Sequence, residues 1–246
     1  MACLRFLHFS RPAPVVALQI VCDTGHMMMR GSVIFDLDGT LTDSKPGILG
    51  CLTNALEAHR IPWTEPLDWF IGPPADQSLR RLMPDADEAR RAALLRDYRL
   101  CYDATGWAEN SVYPGVYAVL QNLQASGWQL FVCTSKREDF AVRILEKFAL
   151  SRYFLAVYAD TAGSLHHTKT ALLRRLLKEQ SLDPATTVMV GDRNFDIEAA
   201  RANGVTSIAV TYGYGTSEEL ASARPDHTCH AVEDLLSILT PQRCSD

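Results

Sequence analysis

Two aspartates stand two residues apart directly behind an apolar, β-branched run: Val33-Ile-Phe35 leads into Asp36-Leu37-Asp38-Gly39-Thr40-Leu41-Thr42-Asp43. Carboxylates at the exit of a buried strand lose several kcal/mol of hydration unless a cation or another partner meets them, so this pair asks for a metal. Gly39 lets the chain reverse tightly there. Taken alone, Asp36-x-Asp38-Gly39 reads equally well as a helix cap or an exposed turn. What shifts the balance is a second acidic cluster behind another apolar run, Val190-Gly191-Asp192-Arg193-Asn194-Phe195-Asp196. Two such exits side by side form a hard oxygen site suited to Mg²⁺, which binds through one or two carboxylates, waters and a phosphate oxygen. Thr134-Ser135, behind Leu130-Phe-Val-Cys133, offers a hydroxyl and backbone N–H groups of the kind that hold phosphate oxygens. Lys169, near the start of a helical stripe, adds a compact positive charge. The four loops suit one kind of ligand, a phosphate.

Such groups converge only if their strands lie parallel with their carboxyl ends on one rim, where open α/β sheets bind ligands. From Gly31 onward the chain alternates short apolar runs with longer segments of 3.6-residue period. The runs are Val33-Ile-Phe35, Leu130-Phe-Val-Cys133, Leu155-Ala-Val-Tyr158, Val188-Met-Val190 and Ser207-Ile-Ala-Val210. None shows polar alternation, as expected of strands covered on both faces. Between them, Val116/Val119/Leu120/Leu123, Phe140/Ile144/Leu145/Phe148 and Leu172/Leu173/Leu176/Leu177 form helical stripes, the first closed by Gly127. Strand and helix in alternation predict an α/β fold with right-handed crossovers and a parallel sheet. From Ser44 to Val112 no comparable strand occurs. Stripes such as Ile48/Cys51/Leu52/Ala55/Leu56 and Leu94/Tyr98/Cys101, broken by Pro62, Pro66, Pro73, Pro74 and Pro84, predict a small helical domain inserted after the first strand.

At 246 residues and about 150 per domain, one domain carrying a smaller one is expected. A composition 47% hydrophobic and 22% charged is that of a globular protein and excludes fibrous and disordered classes. Lys+Arg 24 against Asp+Glu 29 gives a net charge of −5 without a basic block, which argues against a nucleic-acid polymer as partner. Seven scattered cysteines with no CxxC spacing predict reduced, mostly buried thiols and a cytoplasmic setting. The uncharged run Pro12–Cys22 is too short to cross a bilayer, so no membrane partner is expected. Residues 1–30, ending near Met27-Met28-Met29, are expected to be a loosely ordered extension outside the fold.

The order Asp36-x-Asp38-Gly39-Thr40, Thr134-Ser135, Lys169, Gly191-Asp192-x-x-x-Asp196 resembles the four motifs of the haloacid-dehalogenase-like (HAD) hydrolase superfamily, over residues 32 to about 240. The resemblance implies a Rossmann-like core of residues 31–43 and 113–246, with residues 44–112 as the α-helical cap of subfamily I. Leu67-Asp-Trp-Phe-Ile-Gly-Pro-Pro74, Glu109-Asn-Ser-Val-Tyr-Pro-Gly115 and Tyr212-Gly-Tyr-Gly215 resemble the phosphoglycolate phosphatase or 5′-nucleotidase branch. That branch often has His in place of Phe195 and a Gly-rich turn where this chain reads Thr161-Ala-Gly-Ser-Leu-His-His-Thr168.

The resemblance also assigns roles. Asp36 is expected as the nucleophile that forms an aspartyl-phosphate, and Asp38 as general acid and then base, its backbone carbonyl touching Mg²⁺. Asp36 and Asp192 are expected to hold the metal, with Asp196 as a ligand or a support for a metal water. Thr134, the N–H of Ser135, and Lys169 would stabilise the transferring phosphoryl group, Lys178 being the fallback for Lys169. Gly39, Thr40, Ser135 and Gly72 are expected to contact substrate. The implied reaction is Mg²⁺-dependent hydrolysis of a small phosphorylated metabolite, phosphoglycolate or a 5′-nucleotide. Two alternatives stay open: a phosphomutase of the β-phosphoglucomutase type, whose relatives usually read Asp-Gly-Val where this chain has Asp38-Gly39-Thr40, and a non-catalytic binding protein on the same fold.

The remaining candidates have plainer readings. His166-His167 are expected to be solvated loop residues, since adjacent histidines point apart and no third soft ligand is near. Cys133 reads as a small apolar strand residue. Trp69 and Phe70, beside Gly72-Pro73-Pro74, read either as insert core or as an apolar loop that closes over the site and excludes water.

Overall fold

The computed structural model of the protein describes residues 30–64, 66–161 and 168–239. The extension expected over residues 1–30, apart from Arg30, and the His166-His167 pair lie outside the described residues. The chain opens with strand β1 (Gly31–Phe35), a two-residue strand β2 (Thr42–Asp43), and helices α1 (Lys45–Ala58), α2 (Ala75–Leu82) and α3 (Glu88–Ala104). After a second two-residue strand, β3 (Ser111–Val112), come α4 (Val116–Ala125), β4 (Trp128–Arg137), α5 (Glu138–Lys147), β5 (Ala156–Asp160) and α6 (Lys169–Glu179). The chain continues through β6 (Thr187–Gly191), α7 (Asn194–Ala202), β7 (Thr206–Val210), α8 (Ser217–Ala223), β8 (His227–Cys229) and α9 (Asp234–Leu239).

Six strands form one parallel sheet in the order β5-β4-β1-β6-β7-β8. Successive side chains alternate between its faces, and both faces are apolar. Val33, Phe35, Leu130 and Val132 pack with α4, α5 and α9 on one side. Ile34, Phe131, Cys133 and Met189 pack with α6 and α7 on the other. Burying each such side chain is worth roughly 1.5 to 3 kcal/mol, so the two-sided core fixes the rim on which β1, β4 and β6 end. Gly127, with φ of 85°, supplies the left-handed residue expected after α4.

The strands differ from the sequence reading in three ways. The strand expected to end at Cys133 runs on to Arg137, so Thr134 and Ser135 lie within β4. Its register against β5 shifts between Cys133 and Arg137, and that irregularity bends the strand end. The ribbon β2–β3, antiparallel with Thr42 opposite Val112, joins the two points where the chain leaves and re-enters the sheet domain. Such short strands and the three-residue β8 leave no periodic signal. Leu155, expected in a strand, precedes β5 and is 62% exposed.

Between the ribbon strands, α1 and α3 pack through Ile48, Leu52, Leu56, Leu94 and Tyr98 around a separate apolar cluster that Phe140 of α5 also enters. The expectation of reduced thiols is corrected here, because Cys51 on α1 and Cys101 on α3 form a disulfide, with Cα atoms 5.5 Å apart. Both residues sit on the predicted apolar stripes, and helix packing brings them together across a sequence separation of 50. Cys133 and Cys229 are free and buried.

Gly47 sits where α1 crosses the turn at Gly106, and a Cβ there would stand 1.9 Å from the Gly106 carbonyl oxygen. Gly47→Ala is expected to destabilise by about 1 to 3 kcal/mol, the usual scale of overpacking. Gly50→Ala, whose Cβ would meet nothing nearer than 3.9 Å, should be neutral or stabilising by up to about 1 kcal/mol from helix propensity. Urea midpoints of the two variants check the contrast; equal midpoints would mean that α1 does not cross Gly106 this closely.

Candidate active site

The rim at the carboxyl ends of β1, β4 and β6 gathers the charged residues. Asp36 leaves β1 with its N–H donated to the Val190 carbonyl (2.9 Å), which ties the strand exit to β6. The next turn is closed by the N–H groups of Leu41 and Thr42, both donating to the Leu37 carbonyl (3.0 Å each), and by Gly39 N–H on the Thr42 carbonyl (2.8 Å). Gly39 takes φ of +83°, and a Cβ there would stand 2.1 Å from Asp192 Oδ2. Glycine is therefore required on both counts, backbone conformation and space.

Asp36, Asp192 and Asp196 are all buried, and each offers a carboxylate oxygen within 4.8 Å of the others'. Lys169, the first residue of α6, reaches into this cluster. Its Nζ lies 2.8 Å from Asp36 Oδ2 and 2.5 Å from Asp196 Oδ1. The preceding Thr168 caps α6 by accepting the Ala171 N–H (3.2 Å), which fixes where the helix starts and so where the lysine stands. Lys178, in the exposed last turn of α6, is remote from the cluster. Asp192 is fixed by the Tyr214 N–H on Oδ2 (2.7 Å) and the Thr40 hydroxyl on Oδ1 (3.5 Å). Asp196 Oδ2 accepts the Arg193 N–H (3.0 Å).

Two of the three carboxylates therefore share one ammonium, and Asp192 is left to neutral donors. Burial pushes the Asp36 carboxyl up to about 6, and the charges of Asp196 and Asp38 add to this against the opposing pull of Lys169. Burial likewise holds Asp192 well above the usual carboxylate range, aided by Asp196 and Asp36. For Lys169 burial favours the neutral form, but Asp196 and Asp36 outweigh it and raise the ammonium's pKa. Burial pushes the adjacent Cys133 thiol up to about 12, so it is protonated and no nucleophile at neutral pH.

Asp38 faces the other way. Both its oxygens are held by Lys136 Nζ, at 2.7 and 3.1 Å, with the side chains 11% and 6% exposed. A cavity of about 140 Å³ opens beside this pair, walled by Ile48, Phe70, Tyr98, Tyr102 and Phe140, with Ser135 and Gly72 also on its surface. Phe70, of the predicted Trp69-Phe70 pair, is buried against Tyr98 and lines the cavity, while Trp69 carries the Arg81 guanidinium 4.2 Å above its ring. Thr134 is buried, its hydroxyl accepting the Lys136 N–H (3.3 Å).

A model of the family described as haloacid dehalogenase-like hydrolase matches residues 33–210, which takes in Asp36, Asp38, Thr134, Lys169, Asp192 and Asp196. The chain belongs to that family. It is 37% identical over 212 residues to a 5′-nucleotidase of Pseudomonas aeruginosa, covering 85% of this chain and 95% of that one. A phosphoglycolate phosphatase of Vibrio vulnificus is 29% identical over 217 residues, covering 84% and 95%. Among solved structures, a predicted phosphatase from Clostridium acetobutylicum superposes with a TM-score of 0.80 at 34% identity, covering 86% and 98%. The α/β HAD fold and a phosphatase activity follow for this chain.

Within that family frame, the structure puts Asp36, Asp192, Asp196 and Lys169 in one cluster and Asp38, Ser135 and Gly72 on one cavity. Thr40 and Gly39 stand under Asp192 and away from the cavity wall. Sequence reasoning missed three residues that complete the site. Lys136 follows Thr134-Ser135 directly, and a charged residue continuing a buried strand was the available signal. Tyr214 sits in the Gly213-Tyr214-Gly215 turn expected only to lie near the site mouth. Its N–H holds Asp192, and its hydroxyl accepts the Ser44 N–H (2.8 Å) and donates to Asp43 (2.8 Å). The third is Arg193, a buried cation directly after Asp192.

A carboxyl held above its unfolded value binds more protons folded than unfolded, so its contribution to stability is full below pH 3.8 and is lost as pH rises to about 6. Metal-free protein in chelator should thus lose on the order of 2 kcal/mol through Asp36 between pH 4 and 7. Asp36→Asn removes that titration: its urea midpoint should equal the wild type's at pH 4 and exceed it at pH 7. A wild type that gains on the variant as pH rises would contradict the burial argument.

Proposed function

We propose that this phosphatase hydrolyses a small phosphomonoester through an aspartyl-phosphate on Asp36, with Mg²⁺ at the three buried carboxylates. The observation that carries the reading is the excess of buried negative charge: of three clustered carboxylates only Asp36 and Asp196 pair with Lys169, and Asp36 Oδ1 is buried without a hydrogen-bond partner. An oxygen donor set of that charge fits a hard divalent cation. Asp36, Asp192 and Asp196 would hold the ion, with the Asp38 carbonyl as the further donor expected from the sequence. When bound, Mg²⁺ supplies charge stabilisation to the phosphoryl oxygens and aligns them for in-line displacement.

The chain's own residues would do the rest. An oxygen of Asp36 attacks phosphorus, the ester P–O bond breaks, and Asp38 as general acid gives a proton to the departing alkoxide. Asp38 then takes a proton from water as that water attacks phosphorus, the bond to Asp36 breaks, and inorganic phosphate leaves. Lys169, Thr134 and the Ser135 N–H stabilise the equatorial oxygens. Lys136 holds Asp38 toward the cavity where the leaving group must lie.

The cavity bears on the leaving group. At about 140 Å³ it is smaller than the roughly 300 Å³ at which sites for drug-sized ligands begin. A leaving group of few heavy atoms, such as glycolate, fits it directly, whereas a nucleoside requires the helical insert to stand further from the sheet. Both belong to the class that the relatives' names support.

Purified protein with Mg²⁺ should release phosphate from at least one member of a panel spanning phosphoglycolate and nucleoside monophosphates. Asp36→Asn should lower kcat by about 10³-fold or more, as loss of a covalent nucleophile does elsewhere. Phosphate release unaffected by Asp36→Asn would refute the mechanism, and isomerised sugar phosphate without free phosphate would replace hydrolysis by mutase chemistry.

A further inference from the structure

Arg193 follows Asp192 in sequence, yet its side chain leaves the carboxylate cluster and is 7% exposed. Nε donates to Glu219 Oε1 (2.8 Å) and Nη2 to Glu219 Oε2 (3.3 Å), the two-pronged geometry that holds a guanidinium in one orientation. Glu219, in the first turn of α8, is itself held by the Asn194 N–H (3.0 Å). The remaining prong, Nη1, donates to the carbonyl of Ile71 in the helical insert. Next to it Gly72 takes φ of +111°, and a Cβ there would stand 2.9 Å from Nη1. The Ile71–Pro74 segment forms one wall of the cavity beside Asp38.

We propose that Arg193 is the positioning residue that latches the Ile71–Gly72 segment over the site, so that the loop carrying Asp192 and the wall contacting the leaving group move as one. Three features carry this. A buried guanidinium is costly to leave with an unpaired N–H, so the Ile71 carbonyl is a specific partner that has to be given up when the insert lifts. The absent Cβ of Gly72 is what lets the guanidinium come this close. By contrast, the ion pair Arg143–Asp103 between α5 and α3 is 38% and 64% exposed and of the kind that contributes little.

The latch concerns the same site as the phosphatase reading and rests on that reading only for its kinetic test. Hydrogen exchange of the full-length protein tests it without turnover. In Arg193→Gln, the amides of Phe70, Ile71, Gln77 and Ser78, which donate to the carbonyls of Leu67, Asp68 and Pro74, should exchange at least about tenfold faster, the factor set by losing one hydrogen bond to a charged group. Those of Val188–Val190 in β6 should keep the wild-type rate. Gly72→Ala, with Arg193 intact, should loosen the same amides, and Glu219→Gln should do so by a smaller factor and serves if Arg193→Gln does not fold. In the kinetic arm, kcat/KM of Arg193→Gln for the preferred monoester should fall about tenfold or more. Acetyl phosphate, whose acetate departs without a proton and fills little of the cavity, should change less than about threefold. Unchanged exchange at Phe70, Ile71, Gln77 and Ser78, or equal loosening of β6, would overturn the latch. A wild type that hydrolyses neither compound would refute the phosphatase reading while the exchange data still decide the latch.

Discussion

One ammonium paired with two of three clustered, buried carboxylates is the constraint around which this molecule is arranged. Lys169 sits within 2.8 Å of Asp36 and 2.5 Å of Asp196, and neither carboxylate has solvent to fall back on. In a low-dielectric interior such a group is held only if every partner is fixed in place. That explains the exactness of the surrounding turns: glycine at 39, 191 and 213, each with a carboxylate where its Cβ would be, and backbone N–H groups from Arg193 and Tyr214 on Asp196 and Asp192. The residual negative charge is what makes the cluster able to take a divalent ion.

The sheet and the helical insert divide the work. The strands supply rigid exits for Asp36 and Asp192 and carry Thr134 within β4, and the two-sided apolar core fixes their spacing. The insert brings aromatic and apolar side chains to Asp38 and so walls the cavity proposed to take the leaving group. Three contacts join the two parts near the chemistry. Lys136 lies between Asp38 and the Tyr102 ring (5.0 Å), Tyr214 ties Asp192 to the start of α1, and Arg193 reaches Ile71. Each acts from a residue one or two positions from a charged group of the site or directly on it, which couples the position of the insert to the geometry of the reacting groups.

The legible part of the sequence was the part written in periodicity and in charge at strand exits. Buried parallel strands give unbroken apolar runs, and Asp36 and Asp192 stand out because charge there contradicts the run, while Lys169 is marked by its place at the start of a helical stripe. The site residues that escaped notice are those whose meaning depends on distance in space. Arg193 reads as one more charge in an acidic loop until Ile71, 122 residues away, arrives beside it. Lys136 reads as the polar end of a strand until β4 is seen to continue through it. Cys51 and Cys101 were visible as residues on two apolar stripes, but which helix faces meet is decided by packing, and spacing alone suggested separate thiols. The two-residue strands of the hinge ribbon are fixed by tertiary context and have no local signature.

The most direct test of the account is a calorimetric Mg²⁺ titration of chelator-treated protein at neutral pH, with thermal unfolding followed in parallel. One ion should bind per chain, raising stability by about 2.7 kcal/mol at a free concentration one hundred times Kd, and Asp192→Asn should abolish both the heat and the stabilisation. A wild type that neither binds Mg²⁺ nor gains stability, or an Asp192→Asn variant that responds like it, would show that the buried carboxylates do not form the metal site from which the proposed chemistry is derived.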